Sequence, residues 1–162
     1  GMKIYCGFLF NHESERRGVE FLSRKVCKAV AEISVRLRKK IILGNLDAKR
    51  DFGYAKEYVE WIWYIMQHPT PDDFVIATEE THSVKEFVIE AFRHIGIDDW
   101  ESYIEYDPKF MRPAEVDLLI GDASKSKRIL GFEAKVKFPE LVKIMMEYEL
   151  KQLVKTDKLL NY

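Results

Sequence analysis

The chain has 162 residues, of which 47% are apolar and 33% charged, a composition typical of one globular domain and not of a disordered chain. Lys and Arg (26) nearly balance Asp and Glu (27), and the net charge of -1 offers no basic surplus that would indicate a nucleic-acid partner. No apolar run reaches the roughly 18 residues that suggest a membrane span, and no signal peptide is visible.

The apolar pattern predicts strands that alternate with helices. Short apolar runs indicate strands, and apolar residues spaced three and four apart indicate helices. The predicted elements are a buried strand Ile4–Phe10, a helix from Phe21 to Leu37, a strand Ile41–Leu43, a helix from Tyr54 to Ile65, a strand Phe74–Thr78, a helix from Val84 to Ile95, a strand Ser102–Tyr106, a short helix between Asp122 and Gly131, and a helix from Pro139 to about Val154. This alternation predicts an α/β fold.

Local signals refine these boundaries. Ser83 followed by Glu86 is typical of a capping box, and Asp122 is expected to cap the short helix. We expect one domain, residues 2–154, with a few strands and about five helices. Gly1 ahead of Met2 is typical of a tag remnant, and the tail, residues 155–162, carries weak signals of order.

Metal and disulfide sites are not indicated. Cys6 and Cys27 form no CxxC pair, and the histidines show no ligand spacing. We therefore expect no metal and no disulfide, and a reducing cytoplasm as the location.

Three polar loops mix arginine with carboxylates or amides: Asn11–Gly18, Gly44–Gly53 and Met111–Asp117. Ligands of open α/β sheets bind at the carboxyl ends of strands, and arginine suits phosphate because its planar fork donates two parallel hydrogen bonds. The basic residues that can supply a diphosphate site are Arg16, Arg17, Arg24, Lys25, Arg50 and Arg112, and Glu115 can accept from a guanine edge. The alternative is that all of these are solvated surface charges.

Ordered motifs in these loops resemble the GDP-mannose 4,6-dehydratase family. The similar segments are FNHESERRG at Phe10–Gly18, GNLDAKRD at Gly44–Asp51, VIAT within Phe74–Thr78, THSVKEF at Thr81–Phe87 and RPAEVD at Arg112–Asp117. The resemblance extends from about Ile4 to about Leu150. It implies the C-terminal, substrate-binding part of a Rossmann-like nucleotide-sugar dehydratase fold.

The resemblance also implies roles for residues. The family uses NADP to oxidise the hexose of GDP-mannose at C4, eliminates water across C5 and C6, and returns the hydride to C6, which gives GDP-4-keto-6-deoxy-mannose. By resemblance, His12 and Arg17 contact NADP. The implied contacts to GDP-mannose, or to a related sugar nucleotide, are Asn11, Lys25, Arg50, Arg112 and Glu115.

Motifs of the family's other half are missing. The chain has no glycine-rich dinucleotide loop, and none of its eight tyrosines is followed by Lys four residues later. The reaction needs a base for the C4 hydroxyl, a hydride acceptor and an acid/base pair for the elimination. We therefore assign no catalytic residue and expect this chain alone to be inactive and to bind NADP weakly.

Two functions remain open. The chain is either the substrate-side half of a dehydratase, working beside a separately encoded N-terminal half, or a non-catalytic module that binds a sugar nucleotide or a protein. A start codon placed too far downstream would also explain the short length. The strand Ile4–Phe10 without neighbours leaves an open edge, so we expect a homo-oligomer that buries the helix Tyr54–Met66 or the helix Glu20–Arg38.

Overall fold

A computed structural model describes residues 1–110 and 116–160, which contain eight strands and five α-helices. The strands are β1 (Cys6–Leu9), β2 (Asn11–Glu13), β3 (Ile41–Leu43), β4 (Lys49–Arg50), β5 (Phe52–Tyr54), β6 (Asp73–Ile76), β7 (His82–Ser83) and β8 (Ile104–Tyr106). The helices are α1 (Leu22–Ser34), α2 (Ala55–Gln67), α3 (Val84–His94), α4 (Ser124–Leu130) and α5 (Phe138–Leu160). The predicted α/β class is confirmed.

Three strand pairs are parallel and one is antiparallel. β1 pairs with β6, β2 with β5 and β3 with β8 in parallel, whereas β4 and β7 are antiparallel. Directly after β1, the Phe10 amide donates to the Ile76 carbonyl at 3.0 Å, and Asn11 then begins β2. One extended segment, residues 6–13, therefore pairs first with β6 and then with β5. Its polar residues lie beyond the carboxyl end of β1.

The first strand differs from its prediction. It is shorter than Ile4–Phe10, and it is not buried, since the Phe8 side chain is 56% exposed. Within the described part of the chain, β1 pairs only with β6, so its other edge has no strand beside it. The apolar sequence is that of a strand with neighbours on both sides, and only one neighbour is present.

The helices follow their predictions except at the carboxyl end. The Ser83 hydroxyl accepts from the Glu86 amide at 3.1 Å and the Glu86 carboxylate accepts from the Ser83 amide at 2.6 Å, which confirms the capping box. At α4 the N-cap position is Ala123, and the Asp122 carboxylate accepts from the Ser124 amide at 2.9 Å, so Asp122 caps the first turn as predicted. α5 extends to Leu160, past the predicted end at about Val154, and residues 155–160 contain no Gly or Pro to stop a helix.

The loop predicted at Gly44–Gly53 contains two short strands instead. β4 pairs with β7, and β5 pairs with β2, so backbone pairing fixes the segment that the polar sequence had assigned to a loop. Gly53 permits this close approach, because a Cβ there would lie 2.3 Å from the ring of Tyr58.

Buried residues form two clusters. The larger unites apolar residues of α1, α3 and α5 with β3 and Phe52, and the smaller joins Tyr58 and Ile65 of α2 to β6 and the segment around α4. None of the helices in residues 1–110 and 116–160 combines the length and apolar character needed to cross a bilayer.

The carboxylate of Asp51 lies between these clusters and is fully buried. Its Oδ1 accepts from the amide and hydroxyl of Thr78 at 2.8 and 2.7 Å, and its Oδ2 accepts from the amides of Glu79 and Gly121, both at 3.2 Å. Four donors satisfy a charge that would otherwise be costly to bury. Asp51 thus fixes the segment after β6 and the segment before α4 to the strand segment that bears β4 and β5.

Replacing Asp51 by Asn should destabilise the protein strongly. The side-chain amide would direct N–H donors at groups that are themselves donors, and we expect the free energy of unfolding to fall by about 3 kcal/mol. Urea unfolding of D51N against D47N measures this, because Asp47 is exposed in the same segment. Equal stability of the two variants would contradict the role given to Asp51.

Candidate functional site

A cavity of about 260 Å³ opens between the carboxyl end of β3, the segment 11–17 and the first turn of α1. Four of the residues predicted to bind ligands line it: Asn11, Arg17, Lys25 and Arg50. Backbone pairing brings the loops together, since Asn11 of β2 lies opposite Phe52 of β5 and Leu43 ends β3 at the cavity wall. Three cations from different parts of the chain therefore face one space.

Arg17 is held beside a buried carboxylate. Its Nε lies 3.3 Å from Oε2 of Glu13, which is only 2% exposed, and its guanidinium lies 3.9 Å from the centre of the Phe21 ring. The N–H does not point at the carboxylate oxygen, so the Nε is buried without a hydrogen-bond acceptor. Glu13 also accepts a short hydrogen bond from the Ser23 hydroxyl.

Lys25 and Arg50 approach the cavity from α1 and β4. The Lys25 ammonium donates to the Ile42 carbonyl at 2.7 Å, and burial together with the nearby Arg38 charge lowers the pKa of this lysine. Arg50 Nη1 donates to the carbonyls of Lys49 and Val116 at 2.8 and 2.7 Å. These backbone bonds define where each cation lies, and both remain on the cavity wall.

His12 lies next to the cavity and not on its wall. Its Nδ1 is 2.8 Å from the Phe10 carbonyl, which can only accept, so Nδ1 carries the proton and Nε2 is the nitrogen that can accept in the neutral ring. The ring stacks on Tyr58 with centroids 5.3 Å apart. The side chain is thereby fixed in tautomer and in orientation.

The other predicted residues either are absent from the cavity wall or fall outside the described part of the chain. Arg112 and Glu115 fall outside the described residues, and Arg16 is exposed and does not line the cavity. Arg24, predicted among the diphosphate ligands, also lies off the cavity wall. Its Nε donates to Glu149 at 2.8 Å and its Nη1 to the Arg17 carbonyl at 2.7 Å.

Sequence reasoning missed the acidic side of the site. Glu13 and Arg17 are four residues apart, a spacing that could have suggested an ion pair. Nothing in the sequence links Ser23 to Glu13, or Glu149 to Arg24 across 125 positions. Among the residues described, no cluster of three or more His, Cys, Asp or Glu side chains could hold a metal ion.

The cavity suits an anionic ligand with several oxygen atoms. Arg17, Lys25 and Arg50 supply donors and positive charge, and they outnumber the two carboxylates of the lining, Glu13 and Glu20. Glu13 pairs with Arg17 and accepts from the Ser23 hydroxyl. The Asn11 side chain on the same wall can both donate and accept. Such a set recognises phosphate or diphosphate oxygens flanked by hydroxyl groups.

Comparison with known proteins places these loops in a family. The family profile described as GDP-mannose 4,6 dehydratase matches residues 1–145. GDP-mannose 4,6 dehydratase 1 of Arabidopsis thaliana is 49% identical over 160 residues, covering 99% of this chain and 44% of the plant protein. The human GDP-mannose 4,6 dehydratase is 44% identical over 167 residues, covering 93% of this chain and 45% of the human protein. The chain thus spans less than half the length of these relatives.

Solved structures agree on the fold. RMD from Pseudomonas aeruginosa, complexed with NADPH, superposes with a TM-score of 0.83 at 14% identity and covers 93% of this chain and 49% of that one. UDP-glucose 4-epimerase from Thermotoga maritima, with UDP-glucose, gives a TM-score of 0.80 at 23% identity and covers 94% and 47%. These likenesses confirm a Rossmann-like α/β fold. With the profile matching most of its residues, the chain belongs to the GDP-mannose 4,6-dehydratase family.

Proposed function

We propose that this chain is the sugar-nucleotide-binding half of a GDP-mannose 4,6-dehydratase. The observation that carries the proposal is the cavity in which Arg17, Lys25 and Arg50 meet. The diphosphate of GDP-mannose is the ligand group that matches three convergent cations, and Asn11 on the same wall suits a sugar hydroxyl. By resemblance, Arg112 and Glu115 supply the nucleoside contacts.

The nicotinamide cofactor is proposed to be NADP, held in part by His12 and Arg17, so that Arg17 would contact both the cofactor and the diphosphate of the sugar nucleotide. Both residues fit such a group, because His12 is fixed with Nε2 as its open nitrogen and the Arg17 Nε is buried without an acceptor. NADP would supply the acceptor for the C4 hydride and return that hydride to C6 after water has left. The residues of this chain bind and orient, and we assign none of them to proton abstraction.

Catalysis is proposed to need the complementary half of the family fold. The chain covers 44% of the Arabidopsis relative and contains no Tyr followed by Lys at the fourth position. The strand β1 leaves one edge without a partner among the described strands, and Phe8 on it is 56% exposed. An additional parallel strand against β1 would pair this edge and cover that side chain.

Helix α2 presents a second surface that the complementary half would cover. Val59, Ile62, Trp63 and Met66 are 65%, 40%, 56% and 57% exposed, and their spacing of three and four places them on one face. The adjoining face, with Tyr58 and Ile65, is buried against β6. We therefore propose a partner on the outer face, and self-association where that partner is absent.

A non-catalytic binding module is the second candidate. It shares the anion cavity with the first candidate, and it differs only in that the bound sugar nucleotide is not converted. Both candidates are proposed for the cytoplasm, in keeping with two cysteines that form no disulfide.

Binding of GDP tests the proposed cavity. Purified chain should bind GDP in calorimetry, and Arg50→Gln should weaken binding about tenfold or more through loss of a charge-assisted contact. Arg93→Gln is the matched control, since Arg93 is 67% exposed on α3, away from the cavity, and pairs with Glu90 of the same helix. Absence of GDP binding at millimolar concentration would contradict the proposed site.

Catalysis should require both halves of the fold. Mixed with a separately produced N-terminal half of a family member, the chain should co-purify with it and convert GDP-mannose in the presence of NADP, whereas either half alone should not. GDP binding without co-purification or turnover would favour the non-catalytic module instead.

The exposed face of α2 should cause self-association of the chain. Light scattering at micromolar concentration should show a dimer or larger oligomer, and Met66→Lys should shift it toward the monomer by placing a charge on the apolar face of α2. Gln67→Lys introduces the same side chain at the next, already polar, exposed position and should leave the oligomer intact. A monomeric unaltered chain would rule out this use of α2.

A further inference from the structure

An ion pair joins the last helix to the loop of the cavity. Arg24 Nε donates to Oε1 of Glu149 at 2.8 Å, with side chains 21% and 7% exposed. Arg24 Nη1 also donates to the carbonyl of Arg17 at 2.7 Å. A single guanidinium thus connects the middle of α5 with the backbone of the residue that presents a cation to the cavity.

Arg17 is consequently held by its backbone as well as by its side chain, whose Nη1 donates to the His12 carbonyl at 3.4 Å. Arg24 binds its backbone carbonyl, and Glu13 lies 3.3 Å from its side-chain Nε. The Arg17 amide donates to the Ser14 carbonyl at 3.0 Å, which closes a turn from Ser14 to Arg17. The backbone of Arg17 is therefore linked, through Arg24, to a residue of α5 that does not reach the cavity.

The energetics favour a role in positioning over a role in stability alone. A largely buried ion pair contributes little compared with apolar residues of the same size, because removing both charges from water is costly. Groups that bind a ligand need fixed supports, since small displacements weaken contacts strongly. Arg24 is not on the cavity wall, so any effect it has on the ligand passes through Arg17.

We propose that Arg24 and Glu149 are positioning residues that set the anion affinity of the cavity by fixing Arg17. The inference rests on the proposed function, because it assumes that the cavity takes the diphosphate. It adds that α5 influences the anion affinity of the cavity, although the sequence of α5 shows no sign of such a role.

The test compares GDP affinity in Glu149→Gln with Glu147→Gln. Glu147 lies two residues earlier on α5 and pairs with Lys151 at 3.4 Å on the exposed surface, so its variant makes the same chemical change away from the loop. We expect Glu149→Gln to weaken GDP binding about tenfold, as loss of supporting partners does around bound metals, and Glu147→Gln to leave it unchanged. Equal affinities would overturn the proposal.

A double variant separates positioning from stability. Arg24→Met with Glu149→Leu removes both charges together, so thermal stability should recover relative to Glu149→Gln. Arg24→Met also removes the donor to the Arg17 carbonyl, so GDP affinity should remain low. Affinity that recovers together with stability would show a structural role only and would overturn the proposal.

Hydrogen exchange provides a readout that needs no ligand. Amides of residues 14–18 should exchange faster in Glu149→Gln than in Glu147→Gln, because Arg24, which binds the Arg17 carbonyl, has lost its charged partner. If the unaltered chain fails to bind GDP, the proposed function fails while exchange still decides whether α5 orders the loop. Equal exchange in the two variants would overturn the positioning role.

Discussion

The buried carboxylate of Asp51 is the interaction on which the rest of the structure depends. It accepts four hydrogen bonds, from two donors on Thr78 and from the amides of Glu79 and Gly121. These donors belong to segments that follow β6 and precede α4, while Phe52, the next residue along, packs into the larger apolar cluster. The Asp51 side chain therefore connects segments that belong to the two apolar clusters. The polar loops are supported where the two clusters meet.

The site is a consequence of this arrangement. The extended segment 6–13 leaves β6 for β5, and this crossing places Asn11 and Glu13 beside the start of α1. The cations converge because each is held by protein groups: Arg17 by Glu13, Lys25 by the Ile42 carbonyl, and Arg50 by the Val116 carbonyl. A site prepared in this way needs little reorganisation on binding. The same chain leaves an edge and a helix face uncovered, which fits a half of a larger fold.

Much of the fold and of the site could be predicted from the sequence. The contacts that could not be predicted have a physical reason in common. Helix periodicity and the capping box at Ser83 depend on residues three and four apart, so α1, α2 and α3 were predictable. The loops that carry Asn11 and Arg50 were found from their composition and from the resemblance. The pairing of Arg24 with Glu149, 125 positions away, leaves no local pattern.

Strand pairing marks the same limit. The sequence GNLDAKRD has the composition of a loop, yet β4 lies within it because β7 supplies a partner. The apolar run before Asn11 has the composition of a buried strand, yet β1 is exposed because only β6 lies beside it among the described strands. In both cases the strand that lies alongside is distant in the sequence, so local composition cannot indicate the pairing or the burial.

The most direct test of the central claim, that this half of the fold carries a preformed site for the sugar nucleotide, is to locate bound GDP. Backbone amide shifts of the isotope-labelled chain, titrated with GDP, map that location. We expect shifts concentrated at residues 11–18, 43–45 and 49–50 around the cavity. Shifts confined to other parts of the chain, or none at millimolar GDP, would contradict the claim.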